Sequence, residues 1–220
     1  MSTLTKLALG LIGQLKPKGA IGTAGPVIEL PAPDKQGGIP LMQALNQRQS
    51  SREFVPDRLP LQVMSDLLWA AFGINRADFG GHTAPSALHA NEVDVYAAMP
   101  DGLYRYDPDA HLLRLMSATD VRPVTGYQDF VDDAPLDLIF VADYSRMKLE
   151  SAQQHEAFSA ANVGAIAQNV YLYCASAGLG VVVRGWFDRK ALTEAMGLKP
   201  DEHIVLTQTL GYRKHQASPG

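Results

Sequence analysis

Residues 157–180, AFSAANVGAIAQNVYLYCASAGLG, decide the fold. Small residues at Ala157, Ala160, Ala161, Gly164, Ala165 and Ala167 spread over nearly every side of a helical cylinder. A helix without a polar face belongs inside a core or along a subunit axis. The spacing predicts one long helix from about Arg146 to Ala177, which Gly178 closes as a C-cap. Downstream, VVVRGWF reads as a strand leading into a loop, Asp188 caps the helix DRKALTEAMG, and HIVLTQTLGY is a last strand. Upstream, PLDLIFVAD is a continuous apolar run of strand length, of the kind buried on both faces. VDVYAAM alternates as a strand, Pro100-Asp101-Gly102 turns the chain, LYRYD returns as its hairpin partner, and HLLRLM is a third strand. The class is α+β, with a mostly antiparallel sheet and a long central helix.

Further out the signals thin. Leu61, Met64, Leu67, Leu68, Ala71 and Phe72 mark a helical face ended by Gly73, and Leu41, Met42, Ala44 and Leu45 a shorter helix that stops near RQSSREF. Residues 17–40, rich in proline and glycine and without a period, read as an extended arm wrapping the other subunit. Ahead of it, LALGLIGQL lies between Lys6 and Lys16, far short of the roughly 20 apolar residues a bilayer span needs. It is also a weak signal peptide, with one basic residue in front, two internal glycines and no A-x-A site. Leu4, Leu7, Ala8, Leu11, Ile12 and Leu15 follow helical spacing instead, with Lys6, Gln14 and Lys16 off the stripe. This predicts a short amphipathic helix docked on its own or a partner subunit, in a cytoplasmic protein, with export as the alternative. The expected division is residues 1–40 as helix and arm, 41–214 as the folded domain, and 215–220 as a tail.

Composition narrows the function. In 220 residues, Lys plus Arg number 19 and Asp plus Glu 23, so the net charge of −4 gives no global field for nucleic acid. The single cysteine, Cys174, excludes an intrachain disulfide or a Cys-based zinc cluster. The six histidines never fall at HExxH spacing, and no metal site is expected. G-x-G-x-x-G, G-x-S-x-G and Walker A motifs are missing; Gly178-Leu-Gly180 follows a helix and precedes a strand, the reverse of the dinucleotide-binding order. Three clusters remain. Arg48-Gln49-Ser50-Ser51-Arg52 places two guanidiniums around two hydroxyls, either a phosphate site or a solvated face, and Arg213-Lys214 carries the same two readings. HTAPSALHANEVDVY offers Pro85, Ser86, His89 and Asn91 before a strand. In VVVRGWF, Gly185 at the strand end lets a flat ligand reach the backbone, while Trp186 suits a core or an interface.

In order and spacing these segments resemble the FMN-dependent nitroreductase family from about Leu30 to Tyr212. LMQALNQRQSSREF is similar to its opening helix and R-x-S-x-R segment, APSALHANEVDVY to its P-S-x-x-N-x-Q segment, NVGAIAQNVYLYCASAGLG to its central helix, and VVVRGWFD with HIVLTQTLGY to its flavin-ring loop and final strand. The resemblance implies an α+β sandwich forming an intertwined homodimer, with two FMN sites built from both subunits. Arg48 and Arg213 would hold the phosphate, with Lys214 assisting or belonging to the tail. Gln49 and Ser50 would line the phosphate and ribityl end, and Arg52 would reach the N1/O2 edge. Pro85, Ser86, Ala87 and His89 would lie along one side of the flavin. Val183, Arg184 and Gly185 would cover the other ring face, with the Gly185 N–H near N5. His89 stands where the family usually has Asn, Asn91 where it often has Gln, and Arg184 where classical members often carry Glu, which would place a positive charge near the site. The implied activity is ping-pong transfer of hydride from NAD(P)H to a nitroaromatic, quinone or similar small acceptor, with no side chain as an essential acid or base. A dehydrogenase of peptide azoline rings and a non-catalytic flavin binder are the alternatives.

Overall fold

The computed structural model describes residues 1–19, 26–148 and 151–214. The tail at 215–220 lies outside these. In chain order the elements are α1 (Thr3–Leu11), β1 (Lys18–Gly19), β2 (Val27–Glu29), α2 (Leu41–Gln47), α3 (Leu61–Phe72), β3 (Ile74–Arg76), β4 (Gly81–His82), β5 (Val93–Met99), β6 (Gly102–Asp107), β7 (Leu112–Ser117), β8 (Thr119–Asp120), β9 (Leu136–Asp143), α4 (Ala152–Ser176), β10 (Leu179–Arg184), α5 (Arg189–Met196) and β11 (Glu202–Tyr212). Seven strands form one sheet in the order β10-β11-β9-β5-β6-β7-β2, antiparallel at every pairing. Among the described residues no helix is long and apolar enough to cross a membrane.

Strand alternation explains why the sheet is covered on both sides. In β9, Leu138 and Phe140 face a core shared with Met64, Leu67 and Leu68 of α3 and Val163, Ile166, Val170 and Cys174 of α4. Ile139 and Val141 face a second core with Leu15, Val121, Val124, Phe187 and Leu192. The apolar run is therefore buried twice over, as its sequence implies. Cys174 is fully buried, and burial pushes its thiol well above the usual range. The helix predicted from Arg146 begins only at Ala152. Residues Tyr144–Arg146 form a separate 3₁₀ turn capped by Asp143, and Ser151 caps α4 by accepting from the Gln154 N–H. Gly178 takes the left-handed conformation, φ +71°, that ends the helix.

The arm is not structureless, and its described part lies on its own chain. β1 pairs with β8, and β2 extends the sheet beside β7. Beyond β2, a relay fastens the arm: the Tyr106 hydroxyl is 2.9 Å from His111 Nδ1, His111 Nε2 is 2.7 Å from Ser65 Oγ, and Ser65 Oγ donates to Pro31 O at 2.6 Å. Because Ser65 spends its proton on the carbonyl, His111 must donate from Nε2 and accept at Nδ1. Burial lowers the His111 pKa, which favours that neutral tautomer. The hydroxyl is thus a fastener rather than a nucleophile.

Within its own chain α1 packs through Lys6 rather than through its apolar stripe. Lys6, off the apolar stripe, is the fully buried residue, while Leu4, Leu11 and Ile12 are 79, 87 and 64% exposed. Lys6 Nζ reaches Asp132 Oδ1 at 2.7 Å and donates to Gln128 O at 3.1 Å and Gly126 O at 3.5 Å. These bonds satisfy a buried ammonium. Burial pushes the Asp132 carboxyl up, but Lys6, Lys18 and the chain's amino group pull it below its ordinary value. A depressed folded-state pKa gives stability that is complete above the unfolded value of about 3.9 and is lost as pH falls through the folded value. Asp132→Asn should therefore destabilise the chain by about 3 kcal/mol at pH 7. The difference from wild type should vanish in urea unfolding curves taken progressively below pH 4.

Candidate functional site

The Arg48–Arg52 and Arg213-Lys214 segments meet at the ends of β10 and β11. After α2 the chain turns at Arg48, and residues 49–54 run against the ends of β10 and β11. Ser51 N–H donates to Val181 O at 2.9 Å, Val55 N–H to Tyr212 O at 3.1 Å, and Lys214 N–H to Glu53 O at 3.2 Å. Arg213 Nε donates to Leu179 O at 3.1 Å, which fixes the start of its guanidinium. Gly180 lets these parts approach closely: a Cβ there would lie 3.0 Å from Arg213 Cγ and 3.1 Å from Ser51 Oγ, so both would have to give way by a few tenths of an ångström. The result is a cleft of about 530 Å³ lined by Gln49, Ser50, Ser51, Arg52, Glu53 and Arg213, with Lys214 at its edge. Among the described residues, Arg48, Arg52, Arg213 and Lys214 have no carboxylate partner within ion-pair distance. Unpaired cations beside hydroxyls suit a phosphate monoester.

Tyr171 of α4, which the sequence reading overlooked, ties this cleft to the sheet. Its hydroxyl is 2.9 Å from Ser50 Oγ and accepts the Val183 N–H at 3.0 Å. Its ring lies 5.4 Å beneath the Arg48 guanidinium.

The 85–91 loop is built around a buried carboxylate. Glu92 is fully buried; Ser86 Oγ donates to its Oε2 at 3.1 Å and Asn162 Nδ2 to its Oε1 at 2.7 Å. Ser86 Oγ also accepts the Asn91 N–H at 2.8 Å. The loop is forced into a shape that L-residues rarely take, with φ +55° at Leu88, +55° at His89 and +47° at Asn91. Pro85, Leu88 and His89 are exposed, with Ser86 and Ala87 half-buried. Within one chain this loop does not meet the Arg48 cleft. Asn162, which anchors it, and Tyr171, which anchors the cleft, are about two and a half turns apart on α4, so they lie ~14 Å apart along the axis and on opposite sides of the helix.

At the end of β10 the strand alternation separates neighbours. Val183 packs on the α4 side, whereas Arg184 points into the opposite core and is 5% exposed. Its Nη2 is 3.0 Å from Asp137 Oδ1 and its Nη1 donates to Thr125 O at 2.5 Å. Asp137 also accepts from Thr125 Oγ1 at 2.7 Å and from Thr209 Oγ1. This corrects the expectation of a positive charge over the ring: the Arg184 side chain is consumed in the core, and only its backbone lies at the strand end. Burial raises the Asp137 carboxyl and lowers the Arg184 guanidinium, yet arginine keeps its proton at any ordinary pH, so the pair is ionic. Gly185 comes next, exposed, with only Leu206 near where a Cβ would stand, at 3.4 Å.

The nitroreductase family model matches residues 45–212, from the end of α2 through the cleft, the 85–91 loop and β11. The chain belongs to the nitroreductase family. A Methanocaldococcus jannaschii protein named as a nitroreductase is 30% identical over 197 residues, covering 85% of this chain and 98% of the relative. A crystal structure from Ralstonia eutropha, also named as a nitroreductase, is 54% identical with a TM-score of 0.88, covering 92% of this chain and 96% of that one. A Desulfovibrio desulfuricans structure named as a nitroreductase in complex with FMN shares the fold at 21% identity and a TM-score of 0.59, covering 84% of this chain and 92% of that one. As a nitroreductase-family chain, this protein is of oxidoreductase type, and its α+β fold is that of the family.

The Asp137–Arg184 pair lies under the part of this nitroreductase-family sheet that ends at Gly185. Asp137→Ala should destabilise the fold by about 3–5 kcal/mol, because the guanidinium stays buried without its partner. Asp137→Ala combined with Arg184→Met should recover most of that loss, and urea unfolding of the double-mutant cycle measures it.

Proposed function

We propose that the protein is an FMN-dependent oxidoreductase that accepts hydride from NAD(P)H and passes reducing equivalents to a nitroaromatic, quinone or similar small acceptor. The observation that carries this reading is the cleft of about 530 Å³ lined by Gln49, Ser50, Arg52 and Arg213, with Arg48 directly before it in the chain: cations without a carboxylate partner beside serine hydroxyls, in the chain region that the family shares. Bound FMN supplies hydride chemistry at ring N5. The chain's residues bind and orient it. Arg48 and Arg213 hold the phosphate, Gln49 and Ser50 its ribityl neighbourhood, and Arg52 the pyrimidine edge of the ring. Gly185 offers its backbone N–H toward N5, and Val183 backs the ring beside the Tyr171 hydroxyl. The positive charge of Arg52 at the N1/O2 edge favours the reduced flavin anion.

Pro85, Ser86, Ala87 and His89 contribute from a second copy of the chain. Their separation from the Arg48 cleft across α4 supports a site shared between two subunits. So does the exposure of Leu41, Met42, Leu45 and Phe158, large apolar side chains on α2 and α4 that a homodimer would cover. The small residues Ala157, Ala161 and Gly164, exposed along α4, allow close approach of a neighbouring backbone.

Two measurements test the reading. The purified protein should be yellow, or become so with FMN, and anaerobic NADH or NADPH should bleach the flavin bands. A protein that takes up no FMN overturns the proposal, and bound FMN that no nicotinamide donor reduces removes the donor. Arg48→Ala should weaken FMN binding by about 1.5–3 kcal/mol, the range for a charge-assisted hydrogen bond, in an apoprotein fluorescence titration.

A further inference from the structure

Strands β5 and β6 separate at one end. Their ladder runs from Met99 and Gly102 back to Tyr96 and Arg105 and stops there. Beyond that point β5 continues to Val93 beside β9 alone, and β6 continues to Asp107 beside β7 alone. Glu92 accepts the Asp143 N–H on the β9 side, so strand alternation turns the N–H and C=O of Val93 toward the opening. The gap is a cleft of about 570 Å³ that shares no lining residue with the cleft beside Arg48. Its size falls within the roughly 300–1,000 Å³ of small-molecule sites.

His82 lines this cleft. It is 9% exposed and stacked on Phe72, with ring centroids 4.0 Å apart and an interplanar angle of 8°. Burial lowers its pKa, which favours the neutral ring. Nδ1 lies 2.8 Å from Phe72 O and must donate there, so Nε2 is left as a bare acceptor, with no donor among the described residues. Most charges around the cleft are already matched. Asp94 pairs with Arg146, which also reaches Asp143 at 3.1 Å, and Asp107 pairs with Arg114 at 2.8 Å. Two are not: among the described residues, Arg105 has no carboxylate and Asp109 no cation within ion-pair distance. The cleft therefore offers a fixed lone pair, a carboxylate and a guanidinium, with Ile74, Val93 and Val95 as apolar wall.

We propose that the cleft between β5 and β6 is a second ligand site, and that it binds a free amino acid with an apolar side chain. The ammonium donates to His82 Nε2 and to Asp109, the carboxylate takes the forked donors of Arg105, and the side chain lies against Ile74 and Val93. A zwitterion answers both unmatched charges. A simple amine would leave Arg105 without a partner, and a simple acid would leave His82 and Asp109 without one. The site stands apart from the flavin reading and does not depend on it.

The test is calorimetric titration of the full chain, as purified, with L-leucine, isoamylamine and 4-methylpentanoate, the last two each lacking one of the charges. L-Leucine should bind about tenfold or more tightly than either, the factor one charge-assisted hydrogen bond supplies. Arg105→Gln should weaken L-leucine by about the same factor and leave isoamylamine unchanged. Asp109→Asn, and His82→Phe, which keeps a ring against Phe72, should weaken L-leucine and isoamylamine but not 4-methylpentanoate. Absence of binding heat with L-leucine, equal affinity for the three ligands, or L-leucine binding that survives both Arg105→Gln and Asp109→Asn overturns the proposal. The visible spectrum after addition of FMN reads the flavin proposal separately, so failure of one is distinguished from failure of the other.

Discussion

The ion pair between Asp137 and Arg184 is the interaction on which the rest of the chain is arranged. Register explains its reach. Asp137 lies opposite Thr209 across the β9–β11 pairing, and Arg184 lies opposite Thr207 across β10–β11, so a carboxylate, a guanidinium and two hydroxyls share one face of three adjacent strands. Thr125 closes the group from the 122–134 segment, through its hydroxyl and its carbonyl. Two buried charges are a liability unless all their hydrogen-bonding positions are met, and here the nearby strands and segment meet most of them. The exit from β10 is consequently fixed in direction: Val183 toward α4, Gly185 toward open space.

A second constraint works through α4. The helix is approached from one side by the loop around Glu92 and from the other by the loop around Ser50, and it anchors each with a polar side chain, Asn162 and Tyr171. A long helix with few bulky residues fits close beside its neighbours, but it cannot bring two loops on opposite sides to one ligand. The proposed division of the site between two copies of the chain answers that arrangement.

Much of this was legible in the residues. The strands from β5 to β7 and from β9 to β11 are plain in their alternation or apolar continuity, and the Arg48 segment is plain in its charge. The misreadings have specific physical causes. Period alone ran the helix back to Arg146, although Asp143 and Ser151 are both capping residues that divide the segment. Within its own chain α1 is anchored by Lys6, whose ammonium binds a carboxylate and backbone carbonyls distant in sequence, which an apolar period does not reveal. Arg184 could have been placed from alternation, since a strand that turns Val183 inward must turn its neighbour away. Asp137, the acid inside PLDLIFVAD, is the matching clue, because a carboxylate within an apolar run needs a cation. Tyr171 and Asn162 left no local trace, as each acts on a residue distant in sequence.

Cys174 has a practical consequence. It is the chain's only cysteine, sealed between α4 and the sheet with its thiol held protonated by its surroundings. A thiol reagent can reach it only when the helical layer lifts from the strands. The rate of its alkylation therefore clocks the opening of that layer in the unaltered protein, with no label to introduce and no second thiol to confuse the signal.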